Sequence, residues 1–319
     1  MSGPGEIESD EQLTFSALPV VEDLVGDNDL TASHNMMNGF DSKPADVEVS
    51  DPAAAVYAIP ELAELGIVFR SSVVISLTEE ETEYVVRCIK HIMPEHVVLQ
   101  FLVQNIVENQ RLENCTVAVD FENDSGTYEI IGDVPAEKAE YGKTVDTFAV
   151  LQRNSTEPTE SVCFSCQLNF TAVQVDPDSG ESLDDGYAEE YSLENLLVTP
   201  ADYMAKIAVA DFRQAWNGTA DTNEALGKFT MQPKTMDHAV SAVIDLLGMA
   251  SCDGTGQLSK GNSDKKQHML HLSGKLLGGL EVLARAQLTT TGPGEGSLLK
   301  IAVRSDDKAV SEAVMNCLQ

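Results

Sequence analysis

The chain has 319 residues, of which 52 are acidic and 20 basic, giving a formal charge of −32. With a pI near 4.3, bulk-charge attraction to nucleic acid or to an anionic bilayer is excluded. No apolar run is long enough for a membrane-spanning helix, and the polar, acidic start Met1–Asp10 is neither a secretory signal nor an Arg-rich transit peptide.

Residues 1–54 are expected to be a disordered acidic linker or tail. They are rich in Gly, Asp, Glu, Ser and Pro, and only Leu13–Val25 groups apolar residues well enough for a turn of helix or a short docking motif. Residues 53–66 (AAAVYAIPELAELG) read as a short helix or extended arm, with Pro60 starting the last turn and Gly66 ending it. From Ile67 the segments IVFRSSVVISLT, TEYVVRCIKHI, HVVLQFLVQNIV, LENCTVAVDFE, YEIIGDVP, TVDTFAVLQ, SVCFSCQLNFTAVQVD and YSLENLLVTP are rich in Val, Ile, Thr, Tyr and Phe. Val162, Phe164, Cys166, Leu168 and Phe170 share one face of such a strand, and Ser165, Gln167, Asn169 and Thr171 the other. Leu99, Phe101 and Val103 alternate with Gln100 and Gln104 in the same way. Short alternating strands without intervening helices predict an antiparallel β-sandwich over 55–200, immunoglobulin-like in architecture only, since no Cys…Trp…Cys arrangement exists.

After Pro200 the period changes. Ala201–Trp216 (ADYMAKIAVADFRQAW) is expected as a helix, with Ala205, Val209, Phe212 and Trp216 on one stripe. Gly227–Met231 follows as a strand, Lys234–Met249 as a helix capped by Thr235, and Gln267–Lys275, Gly279–Thr290 and Ser297–Arg304 as three strands. A helix over Asp306–Leu318, capped by Asp306, closes the chain. That order is an α+β domain over 201–319, a short antiparallel sheet flanked by helices. Charge supports a boundary near residue 200. Residues 1–60 carry 12 acids and one base, residues 61–200 carry 27 and 7, and residues 201–319 carry 13 and 12.

Reactive side chains form no catalytic constellation. The pair Cys163 and Cys166 is expected mid-strand, with its sulfurs on opposite faces, away from a helix start that would activate a thiol. Six irregularly placed cysteines make no disulfide scaffold and fit a reducing cytosolic compartment. Asp176-Pro-Asp178-Ser-Gly180-Glu181 lacks the ligand spacing of a calcium loop and reads as a solvated hairpin, which Asp184, Asp185, Glu189 and Glu190 extend. His268 and His271 diverge on a strand with no acid beside them, and His91 and His96 flank Pro94 in a turn. No nucleophile-elbow, phosphate-loop, dinucleotide or zinc-protease motif occurs, so neither an enzyme nor a cofactor or metal site is expected.

The lone tryptophan stands out. By period, Trp216 ends an apolar stripe and is a core residue. Tryptophan is also enriched at binding hot spots, and a groove lined by Trp216 and nearby bases such as Arg213 suits short acidic-aromatic peptides.

Several stretches resemble the appendage, or ear, region of the coatomer gamma subunit family of the COPI coat. They are IPELAELGIVFRSS (59–72), LTEEETEYVVRCIKH (77–91), LENCTVAVDFE (112–122), VCFSCQLNFTAVQVDPDSGESLDDGYAEEYSLENLLVTPADYMAK (162–206), DFRQAW (211–216) and HLSGKLLGG…VLARAQL (271–288). The resemblance covers about residues 55–319 and is specific in DPDSGESLDDGYAEEYSLENLLVT. It implies a β-sandwich followed by a platform that recruits an ArfGAP-type regulator through the tryptophan of an N-F-x-x-A-W segment. Here that segment reads D-F-R-Q-A-W, so the role falls on Trp216 with Phe212 in support, Asp211 standing where Asn is usual. Arg304 corresponds to a platform arginine that pairs with the ligand. The family's N-terminal solenoid, which contacts Arf, has no counterpart here, so the chain reads as a fragment or an incomplete gene model. The resemblance further implies other coatomer subunits as partners, no nucleic acid, and a place in the cytoplasm on the Golgi membrane and COPI-coated vesicles. It implies Golgi-to-ER and intra-Golgi transport. The nearest rivals are a clathrin-adaptor-type ear binding DPF-like or FxDxF-like peptides, and an enzyme in the α+β domain.

Overall fold

The computed structural model describes residues 51–122, 126–154, 160–176, 179–232, 235–258, 267–290 and 296–318. The expected linker (but for residues 51–54), Asp178 of the acidic hairpin, and most of the TGPGEG turn lie outside the described residues. In chain order the first elements are α1 (Ala54–Tyr57), α2 (Pro60–Ala63), β1 (Arg70–Ser71), β2 (Ile75–Ser76), β3 (Tyr84–Ile92), β4 (His96–Asn105), β5 (Gln110–Phe121), β6 (Tyr128–Val134), β7 (Ala136–Ala139), β8 (Thr144–Arg153), β9 (Val162–Gln174), β10 (Tyr187–Ser192) and β11 (Leu196–Val198). There follow β12 (Met204–Ala205), α3 (Phe212–Gly218), β13 (Ala225–Met231), α4 (Met236–Leu247), β14 (Ala250–Ser251), β15 (Gln267–Leu276), β16 (Glu281–Thr290), β17 (Ser297–Ser305) and α5 (Lys308–Asn316).

The strands form three antiparallel sheets. The first runs β1-β3-β4-β8-β6 with β2 on β3, the second β10-β9-β5-β7 with β11 on β9, and the third β12-β15-β16-β17-β13 with β14 on β15. Alternation drives the first two together. In β9 every second residue from Val162 to Phe170 is buried, and in β4 so are Leu99, Phe101 and Val103. Their rings meet between sheets: Tyr84 lies edge-on to Phe170 at 4.8 Å, and Tyr128 contacts Phe164 at 5.9 Å. The outer face of β4 is covered as well. Val56 and Leu62 of α1 and α2 pack with Met93, Val98, Phe148 and Val150. Gln100 is therefore buried, and it is satisfied by His91 and Asp146.

In the third sheet, Leu270, Leu272, Ala284, Ala286, Ile301 and Val303 share a core with Val240, Val243 and Leu247 of α4 and Val310 and Val314 of α5. Thr235 caps α4 through its hydroxyl, as expected, at 3.4 Å from the His238 amide. Gly248 ends that helix at φ 62°, and an added Cβ there would stand 2.6 Å from the Ala201 carbonyl.

The turn at Pro200–Tyr203 joins the two sheet systems. The Lys90 ammonium lies 2.6 Å from Asp202 and 2.9 Å from the Leu197 carbonyl, while Arg70 donates to the Ala201 and Met204 carbonyls at 2.8 and 2.5 Å. Tyr203 is buried with its hydroxyl 2.7 Å from that of Tyr128 and its ring beneath the Arg153 guanidinium at 4.4 Å. Burial pushes the Tyr128 hydroxyl up to about 12.

Several expectations require correction. Of the helix expected over 201–216 only the end from Phe212 is α-helical, and Pro200–Tyr203 forms a 3₁₀ turn. Residues 204–205 instead pair with Leu276 and Lys275 of β15, and Ser273 pins the next residues, donating to Ile207 O at 2.7 Å and accepting from Val209 N at 3.0 Å. Gly274 permits this approach, since a Cβ would meet the Met204 sulfur at 2.6 Å. The last helix is capped by Asp307, whose carboxylate accepts from Ala309 N at 2.8 Å, and not by Asp306. The strand β7 arises from the polar AEKA, which carries no strand pattern. His91 is no turn residue. It is fully buried in β3, with Nδ1 2.8 Å from Ser71 Oγ and Nε2 2.9 Å from Gln100 Oε1.

Replacing Asp202 with Asn should lower the unfolding free energy by about 3–5 kcal/mol in urea titrations, because Lys90 is left buried without its counter-charge. Burial holds the His91 imidazole below its ordinary 6.5, against opposing contributions from Gln100, Asp51 and Asp146. The unfolded chain thus binds the proton more readily, so this contribution to stability is complete above 6.5 and is lost as pH falls through the lowered value. Thermal melts of His91→Gln should show a shallower decline than the parent between neutral and mildly acidic pH.

Candidate functional site

The seven-residue helix α3 starts where the Asp211 carboxylate accepts from the Gln214 amide at 2.8 Å. One turn separates Phe212 and Trp216, which places both rings on the face turned toward the sheet, 5.6 Å apart. Phe212 stacks on His271 of β15 at 4.4 Å, the rings nearly parallel at 6°. The Arg304 guanidinium of β17 covers the indole at 4.4 Å, with Nε donating to Glu224 Oε2 at 2.7 Å and Nη1 to the Trp216 carbonyl at 3.3 Å. Trp216, Phe212 and Arg304 are thus brought together, whereas Arg213 is exposed and stays outside the stack.

An open groove walled by the indole is not what the structure presents. Trp216 is 6% exposed and forms a floor beneath Arg304. His271 has an acid beside it, contrary to expectation: Asp253 Oδ2 lies 3.1 Å from Nδ1. Burial nevertheless holds the imidazole below its ordinary value, outweighing Asp253.

Cross-strand register extends the site beyond what the sequence indicates. Directly opposed residues of an antiparallel sheet share a face. The pairs His271–Arg285, Arg285–Ala302 and Leu283–Arg304 therefore put both arginines on the side that α3 partly covers, and Lys228–Lys300 continues it. Lys228 and Leu226 on this face are exposed, and Lys300 and Gln287 are half-buried. Burial and the Arg304 charge both lower the Arg285 pKa, while Glu224 raises it.

The other reactive side chains lie apart from this site. Cys163 and Cys166 alternate on β9, and burial pushes the Cys166 thiol up to about 12. His268 and His271 lie on opposite faces of β15, with His268 Nε2 2.7 Å from the Thr255 carbonyl. Among the described residues no three His, Cys, Asp or Glu side chains gather as a metal site.

Truncating Trp216 to Ala should cost about 3–5 kcal/mol of stability. Arg304→Ala should cost about 1–2 kcal/mol. Because the chain has a single tryptophan, its fluorescence reports the cover directly, and Arg304→Ala should increase acrylamide quenching of folded protein.

Residues 50–199 match the family model described as the coatomer gamma subunit appendage platform subdomain, and residues 201–318 match the coatomer subunit gamma-1 C-terminal appendage platform. Coatomer subunit gamma-2 of Xenopus tropicalis is 36% identical over 260 residues, 81% of this chain and 29% of that protein. The Homo sapiens coatomer subunit gamma-2 is 34% identical over the same shares, and coatomer subunit gamma of Arabidopsis thaliana 36% identical over 258 residues, 81% and 28% of the two chains. The chain thus spans under a third of the length of these curated relatives. The crystal structure of a yeast GGA1 GAE domain aligns over 38% of this chain and 97% of its own, at 12% identity and a TM-score of 0.25, a likeness too slight to bear on the fold. Matched by appendage models from residue 50 to residue 318, the chain belongs to the coatomer gamma subunit family, whose members are coat components and not enzymes.

Proposed function

We propose that this chain serves the COPI vesicle coat as a recruiting appendage, capturing an ArfGAP-type regulator on the open face of its third sheet. In this reading residues 1–54 are an acidic linker, 55–200 an immunoglobulin-like sandwich and 201–319 an α+β platform. The appendage works on the cytoplasmic side of Golgi membranes and COPI-coated vesicles, in Golgi-to-ER and intra-Golgi transport. The rest of a full-length subunit would hold it among the other coatomer subunits.

One observation carries the reading: a cationic sheet face in a chain of net charge −32. Lys228 stands directly opposite Lys300, with Arg285 and Arg304 on the same face, the latter paired with Glu224, with which an incoming acid would compete. Like charges so opposed disfavour the sheet unless an anion offsets them. An incoming acidic segment would pair with these cations and draw Arg304 from the indole, and an aromatic side chain would then take its place over Trp216. Phe212 holds the indole in position, and Arg213 offers a further charge at the rim. Negative potential elsewhere on the chain would turn an acidic ligand toward this face.

Pull-downs from cytosol, blotted for the ArfGAP-type regulator, test this with Arg304→Glu and Lys300→Glu, which alter the face without hollowing the core. Each should reduce capture by roughly tenfold or more. Capture equal to the parent by both variants would overturn the site. Preferential retention of DPF-like or FxDxF-like peptides would favour a clathrin-adaptor-type ear instead.

A further inference from the structure

Among the described residues the first two sheets have an open side where β5 faces β6. On the second sheet β7 pairs with the outer edge of β5 only as far as Cys115, opposite Ala136. β5 continues to pair with β9 as far as Phe121, opposite Phe164. From Thr116 to Phe121 the other edge of β5 is paired with no described strand, so alternate N–H and C=O groups there point outward without a strand to receive them, and of these the Phe121 amide donates to the Asp120 carboxylate at 2.8 Å. On the first sheet the facing edge is β6, which among the described residues pairs with β8 alone. A bulge between Ile130 and Gly132 turns two consecutive isoleucines outward, Ile130 at 40% and Ile131 at 44% exposure. Between the two edges lies a groove of about 430 Å³, walled by Thr116–Val119 and Ile130–Asp133 and floored by Ala149.

The rim has one sign of charge. Between Arg111 and Lys138 the sequence has seven acids and no base. Asp133 lines the groove, and Asp120 and Glu129 are exposed next to its walls. An acidic segment, a phosphate-bearing ligand or a second copy of the same edge would meet repulsion there.

We infer that this open side receives an extended segment of a partner protein in which Lys or Arg alternates with apolar residues. The segment adds as a strand along Thr116–Phe121. One of its faces lays apolar side chains over Ile130 and Ile131 of β6, and the other directs its bases along the Asp120 side of β5, while Glu129 and Asp133 on the β6 rim add their field to the attraction. Six residues of edge span roughly 20 Å, enough for one short strand of this kind. This surface is independent of the cationic face of the third sheet and selects the opposite charge.

Fluorescence anisotropy with the full chain and a labelled peptide, Lys-Val-Lys-Ile-Lys-Val-Lys, tests it. Two further peptides carry N-methyl groups either on the lysines or on the apolar residues, which removes strand pairing in one register each and keeps the charge. The inference expects binding of the parent peptide, loss with one N-methyl register, and slowed amide exchange within Thr116–Phe121. The double variant Glu129→Lys with Asp133→Lys should weaken capture by roughly tenfold. No binding of the parent peptide, equal binding of all three peptides, or protection confined to β1 or β10 would each overturn it. Retained affinity in the double variant would remove the basic specificity and overturn it as well.

Discussion

The structure turns on the buried ammonium of Lys90. It reaches out of β3, in the first sheet, to both the Leu197 carbonyl of the second sheet and the Asp202 carboxylate of the turn that leads to the third. Asp202 in turn accepts from the Thr199 amide, so a single carboxylate both shapes the turn and neutralises the lysine. Arg70 and the Tyr128–Tyr203 contact clamp the same turn from the sandwich side. What leaves the turn is therefore fixed in direction: Met204 and Ala205 dock on β15, Ser273 pins Ile207 and Val209, and Asp211 starts α3 over the sheet. The position of Trp216 is set by this sequence of constraints and not by the seven-residue helix alone, which is too short to stand by itself.

Much of the architecture is legible from period and punctuation. Alternation from Val162 to Phe170 marks one face of β9 correctly, and Thr235 marks the start of α4. What escapes is whatever depends on residues distant in sequence. The stretch 201–209 has helical periodicity but forms only a 3₁₀ turn at Pro200–Tyr203, and from Met204 it is drawn into extended backbone by β15, some seventy residues on. AEKA has no strand pattern and becomes β7 because the edge of β5 is available to pair with it. At the site, Trp216 and Phe212 were visible as an apolar pair at helical spacing. Their cover was not, since Arg304 arrives through the pairing of β16 with β17. The Lys228–Lys300 juxtaposition likewise exists only in the register of β13 on β17.

Charge divides the molecule into two kinds of surface. The first two sheets come from the acidic part of the sequence, and among the described residues the open edge between β5 and β6 has only acids on its rim. The third sheet carries its cations on the one face that no long helix covers, while α4 and α5 occupy the other. In the proposed reading, two surfaces of opposite sign on this chain would engage segments of opposite composition at once, with each charge discouraging the wrong ligand at the wrong place.

The central claim is that a ligand of the third sheet reaches the indole by displacing Arg304. The emission of the single tryptophan during titration with purified ArfGAP-type regulator tests it most directly, with complex formation followed independently by sedimentation. A saturable change in emission and in acrylamide quenching, lost in Arg304→Glu, is the predicted result. Complex formation with Trp216 emission and quenching unchanged would contradict it.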